Sequence, residues 1–413
     1  MTEGWRTEEL GAICSKITDG SHFSPKSADK GYPYITVKDV VCDRIDFSNC
    51  KFISSEDFEV LRKNDCRPLR DDVLFSKDGT VGKVSLVDFD RDFVVLSSLA
   101  ILRPDKSKVD PRYLKYLLQV PSILNDAIGR KTGAAIRRIV LRSLKTIRVP
   151  LPFSLVEQRS IVSILDDVFA GLATATVNAE QNLKSSRELF ESQLNAVFMR
   201  CDDTWTVCAL ADCLQFITYG FTNPMPTTNA GPFMVTAKNI VGDQIDYVTA
   251  RHTSRDAFDN LLTDKSRPKI GDVLLTKDGT LGRLAVVERD DLCINQSVAL
   301  LRPNGRMDPH FMRLLLSSRN YQDRMIADAD GATIKHIYIT RVDKMRVAFP
   351  SSLIEQRRIF AALNDASVAS RRLVDAYSSK LAALGQLKLS LLQKAFSGEL
   401  TSPPSQALKE AAE

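Results

Sequence analysis

The sequence predicts a duplicated mixed α/β domain, each copy followed by one long helix, and three observations carry that prediction. The first is a stretch that occurs twice: residues 72–84 read DVLFSKDGTVGKV and residues 272–284 read DVLLTKDGTLGRL, an offset of 200 in a chain of 413. A period this long marks a duplicated domain rather than a solenoid repeat. The second is the reach of the match, with Trp5 against Trp205, Thr36-Val-Lys38-Asp against Thr236-Ala-Lys238-Asn239, and Asp110-Pro111 against Asp308-Pro309. Two small deletions bring the offset to 198 by Asp110, and it stays there through Glu157-Gln158-Arg159 against Glu355-Gln356-Arg357. The third is an apolar seam at alternating spacings of three and four after each copy, the mark of a long amphipathic helix.

Within each copy, short β-branched runs bounded by Gly, Pro and Asp read as strands: Tyr34–Val37, Val73–Phe75, Gly82–Val87 and Phe93–Leu102, with counterparts in the second half. Asp78-Gly79 and Asp278-Gly279 sit between two such runs and signal a hairpin turn. Helices are expected at Pro111–Gln119 and Pro309–Ser317, both opening with Pro after Asp. Each long helix opens on an S-x-x-E capping box, Ser154 to Glu157 and Ser352 to Glu355. The seam runs through Ile161, Leu165, Val168, Leu172, Ala175 and Ala179, then Leu183, Phe190, Leu194 and Val197. In the second copy it runs through Ile359, Leu363, Ala366, Ser370, Leu373 and Tyr377, then Leu384, Leu387 and Leu391. A helix of this length is a rod of roughly 60 Å. Gly398 would end the second helix, and the tail from 399 to 413 reads as flexible.

Composition bounds the function. Hydrophobic residues are 44% and charged residues 26%, an ordinary globular balance. The net charge of +5 permits a polyanionic partner without demanding one. The start of the chain resembles neither a signal nor a transit peptide, and no uncharged apolar run approaches a membrane span. The eight Cys form no C-x-x-C pair and read as reduced cytosolic thiols. Phosphate-loop, dinucleotide-loop and zinc patterns are absent, as are an amino-methyltransferase Asn/Asp-Pro-Pro-aromatic loop and any Asp or Glu two residues before a Lys, as a common nuclease site requires. No active site is expected.

The motifs that remain suit binding. Lys77 and Lys277, with Lys83 and Arg283, can neutralise phosphate beside the turn. Asp78 and Asp278 can accept from a base amino group, Thr80 and Thr280 offer hydroxyls, and Gly79 and Gly279 allow close backbone approach. A plain hairpin with Asp capping its own turn is the competing reading. A basic stretch late in each copy, Arg137-Arg138 with Arg142, Lys145 and Arg148, is matched by Lys335-His336 with Arg341, Lys344 and Arg346. It suits a phosphate backbone or a solvated charged face. Thr18-Asp-Gly-Ser-His22 is matched by Thr218-Tyr219-Gly-Phe221, a shared frame with different side chains.

Taken together, the two DVL-x-x-KDGT-x-G motifs, the two Pro-x-x-x-x-Glu-Gln-Arg helix openings and the closing Phe396-Ser-Gly-Glu-Leu400 resemble the specificity subunit of a type I restriction-modification system. The resemblance covers residues 5–400. It implies target recognition domains at 1–153 and 201–351, and long helices at 154–200 and 352–398 that pack antiparallel as a coiled coil, with pseudo-twofold symmetry. It implies a subunit without its own active site, with each recognition domain reading half of an asymmetric bipartite DNA site. The partners implied are double-stranded DNA, two modification subunits that bind S-adenosylmethionine and methylate adenine, and restriction subunits, all cytoplasmic. Expected DNA contacts are Lys38, Tyr219, Lys238 and Asn239 beside the turn and basic residues named above. Expected contacts to the modification subunit or along the coiled coil are Glu157, Gln158, Arg159, Ile161 and Leu165, with Glu355, Gln356, Arg357, Ile359 and Leu363. No metal site is expected. The alternative is a tandem scaffold or ligand-binding protein that dimerises through its coiled coil.

Overall fold

A computed structural model describes residues 5–130, 138–199, 204–327 and 336–399. It divides into two compact units, Met1–Ala179 with Ser379–Glu413, and Glu180–Ser378. The boundaries fall inside the long helices, so each unit combines one α/β domain with part of both helices.

The first unit is built on a four-stranded antiparallel sheet in the order Cys14–Asp19, Leu99–Pro104, Val73–Ser76, Val84–Leu86. Strand alternation sorts its side chains between two cores. Val73, Phe75, Ala100 and Leu102 face one, and Leu74, Leu99 and Ile101 face the other. The sheet is therefore covered on both faces, which is why its strands read as continuous apolar runs. The second core is closed by a three-stranded mixed sheet, Lys51–Ile53, Tyr32–Ile35 and Val94–Val95, the last pair parallel. The expected single strand Phe93–Leu102 is thus two strands in two sheets, turned apart at Leu96-Ser97-Ser98. An ion pair joins the two central strands: the part-buried Arg103 guanidinium donates to both carboxylate oxygens of the buried Asp72 at 2.9 and 2.8 Å. A last antiparallel pair, Trp5–Glu9 with Arg148–Pro152, joins the beginning of the domain to its end.

The second unit repeats this plan. Its sheet order is Leu214–Tyr219, Val298–Pro303, Val273–Thr276, Leu284–Val286, and Arg302 repeats the bidentate pair with Asp272. The Pro-opened helices form at Pro111–Leu117 and Pro309–Ser317, capped by Asp110 and Asp308. Helices at Ser55–Lys63 and Pro121–Gly129 add to the sequence expectation.

The long helices span Leu155–Met199 and Leu353–Phe396. In the first unit Ile161, Val162 and Leu165 share a core with Leu392, Ala395 and Phe396. In the second, Leu194 and Phe198 share a core with Leu363, and Ser370 Oγ donates to Ser186 O at 2.6 Å. Each unit pairs the start of one helix with the end of the other, an antiparallel arrangement. The seam differs from expectation in register. Val168, Leu373 and Leu387 are exposed, and Phe169, Val374 and Lys388 turn inward in their place. A 3.6-residue helix drifts against a strict heptad, and a four-four step from 366 through 370 to 374 absorbs the drift. One eighteen-residue window of the first helix reaches a mean hydropathy of 1.5, a membrane-like value. That helix is docked on the first domain, where Asp166 accepts from Tyr116 Oη at 2.5 Å and pairs with Arg112. Gly398, at φ 85°, follows the end of the second helix as expected. The tail from 400 lies outside the described residues.

Candidate nucleic-acid interface

The repeated turn joins Val73–Ser76 to Val84–Leu86 and Val273–Thr276 to Leu284–Val286, both antiparallel hairpins. The connection runs over residues 77–83 and 277–283, and a hydroxyl stitches it. Ser76 Oγ donates to Thr80 O at 2.6 Å and accepts the Lys83 N–H at 2.8 Å, and Thr276 Oγ1 accepts the Arg283 N–H at 2.9 Å. Gly79 and Gly279 take φ of 66° and 79°, a left-handed backbone that glycine adopts without a steric penalty. Nothing lies within 4 Å of where a Cβ would stand at either. With Thr80 and Thr280, they form an exposed tip.

The lysines of the turn are placed differently from expectation. Lys77 is buried and paired with Asp19 at 3.3 Å and Asp78 at 3.5 Å. Lys277 pairs with Asp278 at 2.8 Å, and its ammonium lies 5.4 Å from the centroid of the Tyr219 ring. A buried ammonium is stable only with such partners, so these cations belong to the frame of the site. Lys83 Nζ donates to Val37 O at 3.0 Å and Val40 O at 2.6 Å, and Arg283 Nη1 donates to Ile240 O at 3.1 Å. They brace the 3-10 turns Val37–Asp39 and Ala237–Asn239. Asn239 is also internal, accepting from Thr236 N and Oγ1 and donating to Thr249 Oγ1. Lys38 and Lys238, on the same turns, are exposed.

Three segments far apart in sequence meet at each turn. The Ile139 N–H donates to Lys77 O at 3.0 Å, and Asp78 forms an isolated bridge with Arg138. In the second unit the Ile337 N–H donates to Lys277 O at 2.9 Å, and His336 Nδ1 lies 2.7 Å from Asp278 Oδ1. The 18–22 loop brings Asp19 to Lys77, and His22 Nε2 lies 3.4 Å from the Asp19 carboxylate. Gly20 and Gly220 let these loops pass. A Cβ would stand 2.3 Å from Val95 O in one and 1.8 Å from Ile294 O in the other. The frame is shared and the contents differ. The first unit presents Asp19, His22, Asp78 and Arg138, and the second presents Tyr219, Asp278 and His336. Burial raises the Asp19 carboxyl above its ordinary value, with Lys77 and His22 pulling the other way. Asp78 Oδ1 is buried and makes no hydrogen bond among the described residues. Arg137 and Lys335 lie outside the described residues. Among the described residues no cluster of His, Cys, Asp and Glu is arranged to hold a metal ion.

The Glu-Gln-Arg openings of the long helices also prove largely internal. Gln158 is fully buried; its Oε1 accepts the Asp110 N–H at 2.9 Å, and its Nε2 donates to Lys108 O and Pro152 O. Gln356 repeats this with Asp308, Arg306 and Pro350. Glu157 accepts the Trp5 indole N–H at 2.9 Å, and Glu355 pairs with Arg358 at 2.7 Å. Ile161, Leu165 and Leu363 are buried, and Ile359 packs on the same core as Leu363. These residues bind each helix to its own domain. Arg159 and Arg357 remain largely exposed while reaching Asp110 and Asp308. Sequence reasoning missed the exposed apolar residues at the same openings, Val156 at 71% and Ile354 at 80% exposure. Their signal was an apolar residue repeated inside both capping boxes.

Residues 2–184 match the family model of the type I restriction modification DNA specificity domain. The specificity subunit of the type I restriction enzyme EcoBI from Escherichia coli is 23% identical over 353 residues, 77% of this chain and 73% of that protein. The putative MjaX specificity subunit from Methanocaldococcus jannaschii is 29% identical over 174 residues, 40% of each chain. A solved structure from work on complex assembly and conformational transition of the type I R-M system superposes with a TM-score of 0.73 at 18% identity, covering 97% of this chain and 99% of that one. The HsdS subunit from Thermoanaerobacter tengcongensis superposes at 0.57 and 19% identity, covering 97% and 98%. At these identities the structural likeness establishes the fold, two mixed domains joined by long helices.

Proposed function

Since the chain belongs to the specificity-subunit family of type I restriction-modification systems, we propose that it is the non-catalytic, cytoplasmic, DNA-reading subunit of such a complex. Residues 1–153 and 201–351 each read one half of an asymmetric bipartite site. The helices at 154–200 and 352–398 set the spacer and dock two modification subunits, with Val156 and Ile354 in the docking surface. Those subunits bind S-adenosylmethionine and methylate adenine, and restriction subunits complete the nuclease.

The observation that carries this reading is the shared frame with different contents. Phosphate contacts position a protein on DNA, whereas side chains at base edges specify sequence. Two readers of different half-sites need the same hairpin, lysine lock and loop crossing. They also need different groups around the turn, as at Arg138 against His336 and at the exposed Tyr219, whose counterpart Asp19 is part-buried and paired with Lys77. The exposed Gly-Thr tips and Lys38 and Lys238 suit phosphate.

The test is long-read mapping of methylated adenines in cells that express the chain with its modification partner. One asymmetric bipartite motif with a fixed spacer is expected, and removal of one helical turn from either long helix should change only the spacer. A continuous motif, or none, refutes the reading. An unchanged spacer refutes the role of the helices.

A further inference from the structure

Two thiols of the second unit stand in contact where its first strand meets the turn that follows. Cys208 Sγ and Cys213 Sγ lie 3.6 Å apart. Cys208 is in the strand Trp205–Ala209, opposite Val347 of Arg346–Pro350. Cys213 closes the 3-10 turn Leu210–Cys213. The backbone around both is fixed. The Leu210 N–H donates to Met345 O at 2.9 Å, the Asn304 N–H donates to Cys213 O at 3.0 Å, and the Ala209 N–H donates to Asp212 Oδ2 at 3.1 Å. The fold thus keeps the sulfurs together, and groups held in contact react without a bimolecular encounter. A disulfide bond is about 2.05 Å long, so the sulfurs need to approach by only about 1.5 Å.

The frame does not require this pair. At the repeat offset of 200 the first unit carries Glu8 and Ile13 at these positions. It still builds a strand, Trp5–Glu9, followed by a helical turn, Leu10–Ile13. The two sulfurs also differ in access. Cys208 is half-buried and Cys213 is buried. Burial, reinforced by the adjacent Cys208 sulfur, raises the Cys213 thiol and keeps it protonated. An oxidant in solution therefore meets Cys208 first, with Cys213 waiting behind it.

We propose that Cys208 and Cys213 form a peroxide-sensitive dithiol, a reversible modification site of the second domain. The Cys208 thiolate attacks the O–O bond of a hydroperoxide. An S–O bond forms, the O–O bond breaks, and the leaving oxygen takes a proton from solvent to depart as an alcohol, or as water from hydrogen peroxide. The Cys213 sulfur then attacks the Cys208 sulfenic acid. The S–S bond forms, the S–O bond breaks, and the released hydroxide takes the Cys213 proton as water. The cysteine pair gives up two electrons and the peroxide gains them. A dithiol reductant reverses the link by thiol–disulfide exchange. The link ties the first strand of the second domain to the turn after it, and the partner of that strand, Arg346–Pro350, leads into the long helix at Leu353.

The test exposes the full chain to hydrogen peroxide, blocks the remaining thiols with N-ethylmaleimide and maps the tryptic fragment 201–238 by mass spectrometry. That fragment holds Cys201, Cys208 and Cys213, so the Cys201→Ser chain is treated in parallel. In that chain the fragment should lose two hydrogens and take up no maleimide, and dithiothreitol should restore both labelling sites. In Cys213→Ala, Cys208 should remain a sulfenic acid that dimedone captures, with a urea melt to check folding. Oxidation of the exposed Cys42 shows that the peroxide is active. Two free thiols in the Cys201→Ser fragment while Cys42 is oxidised overturn the proposal. Cys208 driven to sulfinic acid without a link overturns it as well. So does a link in the parent that disappears in Cys201→Ser.

Discussion

Gln356→Ala tests how the long helix is held to its domain. The Gln356 amide is fully buried, and its Oε1 accepts the Asp308 N–H at 2.7 Å. Its Nε2 donates to Arg306 O at 3.1 Å and Pro350 O at 2.8 Å. Alanine leaves one N–H and two carbonyls without this partner. An unmade hydrogen bond in the interior costs about 1–3 kcal/mol per group, and an orphaned N–H is tolerated less well than a carbonyl. The loss should reach about 3–6 kcal/mol, a large share of the roughly 5–15 kcal/mol that keeps a domain folded. Gln158→Ala should cost somewhat less, because its third bond, to Pro152 O, is longer at 3.4 Å. Gln356→Glu keeps the acceptor for Asp308 but sets a buried carboxylate oxygen against the Arg306 and Pro350 carbonyls, so it should cost at least as much as alanine. Urea denaturation measures the loss, and native-state hydrogen exchange at the Asp308 amide localises it. A loss under about 1 kcal/mol, or unchanged exchange at Asp308, would refute the idea that this amide clamps the helix.

Two further outcomes follow from titratable groups. The Asp19 carboxyl is raised above its ordinary value chiefly by burial, so its contribution to stability is present below the unfolded value and is lost as pH rises through the folded one. Asp19→Asn should therefore flatten the decline in urea midpoint as pH rises above the ordinary carboxylate range, and an identical pH profile would contradict this. Burial also pushes the thiols of Cys14, Cys213 and Cys293 up to about 12 each. Because the thiolate is the reactive form, iodoacetamide at mildly alkaline pH should label the exposed Cys42 well before these three, as read by peptide mass spectrometry. Early labelling of Cys213 would show that its region opens in the native state.

Local chemistry was legible in the sequence, and its long-range partners were not. The hairpin about Gly79, the helices opened by Pro111 and Pro309 and the two long helices each depend on neighbours a few residues away, and each appears where expected. Lys77 does not yield to the same reasoning. A lysine beside a turn reads as solvated until Asp19, 58 residues earlier, is found against it. Gln158 likewise looks like a surface residue of an amphipathic helix, because two of its three backbone partners, at Lys108 and Asp110, lie in a segment that only the fold brings to it. The strand break at Leu96–Ser98 was hidden because apolar, buried runs flank it on both sides and the small Ser97-Ser98 pair between them does not exclude a continuous strand. In the helix seam the drift between 3.6 and 3.5 residues per turn moved Val168, Leu373 and Leu387 outward although the pattern itself was correct.

The duplication separates frame from ligand surface within one molecule. Several positions identical in the two copies are internal: Asp72 and Asp272 tie the two central strands together, Lys77 and Lys277 lock the turn, and Gln158 and Gln356 hold the helix openings. Under the DNA-reading function proposed above, positions that differ around the turn, such as Arg138 against His336, are where a ligand would meet the protein. Each group that holds the fold is satisfied by a partner whose geometry recurs, so changing it costs stability in either copy. A group that reads a ligand is satisfied by the ligand and is free to change when the ligand does. Identity between the halves at buried, internally bonded positions therefore marks the scaffold. Under the DNA-reading function proposed above, the search for base-reading residues belongs at the differing exposed positions around each turn, beginning with Arg138 and Tyr219.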